Sequence, residues 1–155
     1  MAPAIITTNG TSHQNMLMNA IVSDETTREL LLPSEVYVLV KRFTAKEERR
    51  RIVACVYDPS RLATTLVGFE NHLNYFHLNG GGLVMGLAKG LAAFLNSTVV
   101  DQYFRQFSGH TQVNATDLRA LRYPSRVKLE GLGKRIDNPA TDQREIDEIV
   151  AHELF

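Results

Sequence analysis

The pattern of apolar and polar positions changes character about half-way along the chain. Before residue 80, apolar residues come in short runs rich in β-branched and aromatic side chains; after it they recur every three or four positions. Residues 36–42 (Val-Tyr-Val-Leu-Val-Lys-Arg) read as a strand, and residues 51–57 as a second one closed by the turn signal Asp58-Pro59-Ser60. A charged connector, residues 43–50, separates them. Residues 64–75 hold one or two further strands, and Gly80-Gly81-Gly82 closes this half as a turn. The first twenty residues, with Asn, Thr, Ser and Gly and little periodicity, read as a loose arm ahead of a single domain over residues 21–155.

In the second half, Leu83, Leu87, Leu91 and Leu95 recur every four residues, with Val84, Ala88, Ala92 and Phe94 on most other faces. That pattern predicts a helix buried on nearly all sides. Gly86 and Gly90, four apart, predict close approach of another element to its backbone. Thr98-Val99-Val100-Asp101 fits a capping box opening a second helix with the stripe Val100, Tyr103, Phe104 and Phe107. Gly109 stands where a helix stops, which predicts a positive φ there. Asn114 caps a short helix through Leu121, and Tyr123-Pro124 ends it. Asn138-Pro139 or Thr141 opens a last helix with the stripe Ile146, Ile149, Val150 and Leu154. Strands first and helices later give an α+β class: a small mixed or antiparallel sheet with helices packed on it.

Composition changes this picture little. Of 155 residues, 44% are hydrophobic and 22% charged, as in ordinary globular domains. The lone Cys55 lies in an apolar run with no basic neighbour and reads as a structural thiol. No run is long and apolar enough for a membrane span, and the N-terminus lacks a signal-peptide pattern, so a cytoplasmic location is expected. Charge is more telling. The net charge is zero, yet residues 102–135 hold seven basic and two acidic residues, whereas residues 136–155 hold one basic and six acidic. A basic segment beside an acidic tail fits phosphate binding as well as a solvated surface. Catalytic signatures are missing: no phosphate-binding loop, no Gly-x-Gly-x-x-Gly, no histidine pair or cysteine set for zinc, and no Gly-x-Ser-x-Gly.

One segment is specific. Leu-Asn-Ser at 95–97, the aromatic helix that follows, Ser-Gly-His-Thr-Gln-Val-Asn at 108–114, Asp-Leu-Arg at 117–119 and Tyr-Pro at 123–124 resemble the C-terminal target-recognition region of adenine-specific DNA methyltransferases of type II restriction-modification systems. Lys41-Arg42-Phe43, residues 46–51 and Glu70-Asn71-His72-Leu73-Asn74-Tyr75 match the same region in order, so the resemblance runs over roughly residues 36–150. It implies a loop after the aromatic helix, a Tyr-Pro strand, a double-stranded DNA partner, and a catalytic domain or subunit elsewhere that holds S-adenosylmethionine. The family's Asn-Pro-Pro-Tyr motif is represented only by Asn138-Pro139 followed by Ala140-Thr141. Its glycine-rich cofactor turn is missing from these residues, so no cofactor and no methyl transfer are expected of this chain alone.

The resemblance directs attention to two groups of residues. Arg42, Arg49, Arg50 and Arg51 surround the first connector and could reach phosphates, or instead pair internally with Glu47 and Glu48. Ser108, His110, Thr111 and Gln112 form a polar loop able to address bases or phosphates, or to bond local backbone. Because the loop recurs in a family whose targets differ, a scaffold or phosphate role is expected of it rather than base choice. Arg119 and Arg122 complete the candidate DNA-binding set. Three functions remain open: a DNA-binding recognition module; a structural or regulatory docking subunit of a methyltransferase, or a truncated remnant, that does not itself bind DNA; and a cryptic enzyme such as a nuclease, for which the sequence supplies no acidic-basic constellation.

Overall fold

The structure, a computed structural model, describes residues 4–8, 16–20, 25–136 and 142–154. Among these residues, seven strands occupy the first half and five α-helices the second, an α+β arrangement. The strands are β1 (Ala4–Thr8), β2 (Met16–Ala20), β3 (Leu31–Pro33), β4 (Tyr37–Lys41), β5 (Ala54–Tyr57), β6 (Leu66–Phe69) and β7 (Leu73–Phe76). They form one sheet in the order β2-β1-β6-β3 and another in the order β5-β4-β7. All pairings are antiparallel except β1 with β6. The segment read as a loose arm thus contributes two strands. Ile5-Ile6-Thr7-Thr8 is a β-branched run, and the polar residues around it hid that signal.

β4 explains how the layers divide. Tyr37, Val38, Leu39 and Val40 are all buried, and successive side chains point to opposite faces. Val38 and Val40 join the large core under the helices, whereas Tyr37 and Leu39 join a smaller one with Tyr57, Val67 and Leu73. Cys55, opposite Leu39 in register, packs against that smaller core. Burial pushes its thiol up to about 12, which fits a structural thiol.

The helices are α1 (Met85–Leu95), α2 (Thr98–Phe107), α3 (Ala115–Ala120), α4 (Arg126–Arg135) and α5 (Gln143–Leu154). The chain enters α1 from a tight turn at Asn79-Gly80, where both residues have positive φ (50° and 85°) and Leu78 and Gly81 exchange backbone hydrogen bonds. This is the Asn-Gly pattern of a two-residue hairpin turn. It is the turn expected of the glycine run, shifted to begin at Asn79. As expected from Gly86 and Gly90, a second backbone lies against α1. A Cβ on Gly90 would fall 1.7 Å from the Leu129 carbonyl oxygen, and one on Gly133 would fall 1.8 Å from that of Gly86.

Four expectations need correction. α2 is capped by Ser97, whose Oγ accepts from the Val100 N–H, not by Thr98. Gly109 follows the helix end but has no positive φ; Ser108 leaves α2 in an extended conformation (φ −89°, ψ 98°), and the loop goes on to run beside residues 42–44, just past the end of β4. α4 was not anticipated, since its glycines Gly131 and Gly133 mask the apolar stripe Leu129 and Leu132. The Tyr-Pro strand implied by the resemblance is a loop leading into α4, where Tyr123 Oη donates to the Leu118 carbonyl at 2.8 Å. Asn138-Pro139 and Thr141 lie outside the described residues; Asp142 accepts from the Glu145 N–H at 2.9 Å at the head of α5. The stripe Ile146, Ile149, Val150 and Leu154 packs on the large core as expected.

Candidate nucleic-acid interface

The polar loop after α2, residues 108–114, is built into the rim of the β5-β4-β7 sheet. Gln112 bridges to Phe43, just past the end of β4, and the Thr44 N–H donates to Thr111 O at 3.3 Å. The Val113 N–H donates to Arg42 O at 2.7 Å, and Asn74 Nδ2 on β7 donates to Val113 O at 2.8 Å. These bonds add a short strand-like segment to an edge that would otherwise leave backbone groups unpaired. Val113 itself is fully buried and anchors the segment in the large core.

Two buried polar residues hold this rim together from beneath. Arg51 is 1% exposed. Its Nε donates to Thr44 Oγ1 at 3.3 Å, its Nη2 donates to the His110 carbonyl, and its guanidinium lies 5.7 Å from the Phe104 ring centre. Asp101 on α2 accepts from the Arg51 and Ile52 N–H groups at 2.6 and 3.1 Å with Oδ1, and from Arg105 Nε at 2.8 Å with Oδ2. Burial raises the Asp101 pKa, but the hydrogen bonds from Arg105, Ile52 and Arg51 outweigh it and hold the carboxyl below its ordinary range. Arg105 then grips the connector through the carbonyls of Lys46 and Glu48, both at 2.8 Å. The connector that separates β4 from β5 is therefore fastened to α2, and the loop is fastened to the connector.

The candidate residues divide accordingly. Arg51 and Ser108 are buried, the latter with an Oγ that has no partner, and neither presents a side chain to a ligand. Arg50 points at Gln143 on α5, and its Nε is buried without a partner. Arg42 is half-engaged: Nη1 donates to Asn71 O at 3.2 Å and Nη2 to Gln112 Oε1 at 3.5 Å. His110 and Thr111 are exposed, Gln112 half-buried. Arg49, Arg119 and Arg122 are exposed, and among the described residues their guanidinium groups have no hydrogen-bond or ion-pair partner. Among the described residues none of these arginines forms an ion pair with Glu47 or Glu48; Glu48 pairs with Lys41 at 3.2 Å.

Much of the charge asymmetry is consumed inside the molecule. Arg105 pairs with Asp101 and Arg126 with Glu130, both at 2.8 Å, and Arg135 lies 3.9 Å from Glu153. Asp147, in the acidic tail, accepts from Thr98 N at 2.7 Å and Thr98 Oγ1 at 2.6 Å, so α5 supplies a second cap for α2. Burial works against it, yet the bonds from Thr98 and Gln143 hold its pKa below the ordinary range. Residues that sequence reasoning did not single out also reach this rim: Phe43, 41% exposed, meets His72 edge to face at 4.9 Å, and Asn71 receives the Arg42 bond.

The chain is similar to part of two type II methyltransferases. It is 54% identical to type II methyltransferase M.PstI of Providencia stuartii over 136 residues, 88% of this chain and 27% of that protein. It is 55% identical to type II methyltransferase M.BsuBI of Bacillus subtilis over 116 residues, 75% of this chain and 23% of that protein. The chain thus spans about a quarter of the length of these relatives. No family model matches it, and no solved structure does. Among the described residues no helix is long and apolar enough to cross a membrane.

Proposed function

We propose that this chain is the DNA-reading portion of an adenine-specific restriction-modification methyltransferase, binding double-stranded DNA while a separate catalytic domain or subunit holds S-adenosylmethionine and transfers the methyl group. The observation that carries the reading is the 108–114 loop, which offers His110, Thr111 and Gln112 from a rim fixed by Arg51, Asp101 and Asn74. Rigid support lets polar side chains meet DNA without a large ordering cost. Among the described residues Arg49, Arg119 and Arg122 are cations with no internal partner, which leaves them free for phosphate contacts. Similarity to type II methyltransferases at 54–55% identity supports the same context.

The test is a fluorescence-anisotropy titration of duplex DNA at several salt concentrations. About four phosphate contacts, from Arg42, Arg49, Arg119 and Arg122, give a log-log salt slope of about −3.6. Arg119→Ala with Arg122→Ala removes two contacts, weakening binding to all sequences and flattening the slope by about 1.8. One observation favours the docking reading instead. Tyr103 and Phe107, each 44% exposed, continue Val99 in an apolar stripe along α2, a face suited to another protein segment. Docking alone predicts no duplex binding even at low salt.

A further inference from the structure

We propose that Phe43, with His72 and Arg42 packed against it, is a contact for an unstacked nucleobase; this rests on the DNA-reading role above. Phe43 stands immediately past the end of β4, and its place is fixed by the backbone bridge to Gln112 and by the flanking bonds of Thr44 to Thr111 and Val113 to Arg42. The ring is 41% exposed all the same. His72 meets it at 4.9 Å with the planes 89° apart, and the Arg42 guanidinium lies 5.7 Å from its centre. Gln112, the backbone bridge partner of Phe43, accepts from Arg42 Nη2 at 3.5 Å through its side-chain amide oxygen. The carboxylate of Glu70 lies 3.8 Å from His72 Nδ1.

Other exposed rings lack this company. Tyr75 belongs to an aromatic cluster with Tyr37, Phe69 and His77, while Tyr103 and Phe107 meet each other. Phe43 alone among the described exposed rings has a cation and an amide beside it on the rim of the recognition loop. An aromatic face or edge accepts any base by stacking or wedging, whatever its hydrogen-bonding pattern. Such a contact helps to open the duplex without choosing the sequence.

The experiment uses the full chain and two 20-base-pair duplexes, one fully paired and one carrying a single mismatch with 2-aminopurine as one of the mismatched bases. A mismatched base costs less to unstack, so the wild-type protein binds the mismatched duplex about tenfold more tightly, with a rise in 2-aminopurine fluorescence. Phe43→Ala and Phe43→Leu lose that preference and the fluorescence rise, yet keep affinity for the paired duplex and its salt slope. Phe43→Tyr keeps the preference. Arg49→Ala weakens both duplexes equally. Wild-type protein without a mismatch preference, or Phe43 variants that retain it, overturns the base contact and leaves DNA reading intact. Wild-type protein that binds neither duplex at low salt overturns DNA reading and this inference with it.

Discussion

At the scale of single residues, Asp101 is the most consequential side chain in the molecule. One carboxylate oxygen satisfies two buried N–H groups and the other an arginine that holds the connector. Asp101→Ala leaves those donors buried and unpaired, which costs about 2–4 kcal/mol at neutral pH. The effect also depends on pH with a definite sign. Because the folded-state pKa lies below the unfolded value of about 3.9, the contribution is present above that value and is lost as pH falls through the folded one. Asp147 acts in the same direction. Urea denaturation at pH 7 and at successively lower pH should show wild-type stability falling steeply in the acid range and Asp101→Ala falling less; parallel curves would remove Asp101 from the account. None of this was visible in sequence. Asp101 reads as the end of a capping box, since two of its partners, Arg51 and Ile52, lie 50 and 49 positions away.

At the scale of elements, the apolar pattern located β4, α1, α2 and α5 to within a few residues, because α2 and α5 each carry one apolar stripe whereas β4 and α1 are apolar on most sides. It failed where the face is short or diluted: β3 is three residues long, and α4 carries two glycines. One of them, Gly133, lets α4 lie directly against α1. Gly90 and Gly133 let α1 and α4 cross with backbone against backbone, so a methyl group on either meets a carbonyl oxygen at under 2 Å. Gly90→Ala and Gly133→Ala should therefore each destabilise by about 3 kcal/mol, at the upper end of overpacking costs, even though alanine favours helix over glycine by about 1 kcal/mol. Gly109→Ala is the matched control. Its Cβ would meet nothing within 4 Å and its φ is ordinary, so thermal melting should place it within about 0.5 kcal/mol of wild type. Loss of stability in that control would show that the loop needs glycine for a reason the backbone does not display.

At the scale of the whole molecule, the candidate interface depends on both halves of the sequence. The arginine connector comes from the strand half and the polar loop from the helical half, and Arg51, Asp101 and Arg105 join them. The sequence exposed the ingredients of that rim but could not sort buried Arg51 from exposed Arg49, two positions apart in one basic run. The same scale governs cofactor binding. Sites for nucleotide-like cofactors in α/β folds form at the carboxyl ends of parallel strands, beside a glycine-rich turn that leads into a helix. Here, among the described residues, only β1 and β6 run parallel, and β6 leads through the three residues 70–72 into β7 rather than into a helix. The glycine run at 80–82 is engaged in the hairpin turn and against Glu35 and Val36, where a Cβ on Gly82 would meet Val36 N at 2.9 Å, leaving no open cradle there. The 155-residue chain by itself should therefore give no heat of binding with S-adenosylmethionine in the micromolar range by calorimetry and no methyl incorporation into duplex DNA. Micromolar binding would place a cofactor site on this chain and turn a DNA-reading portion into part of the catalytic one.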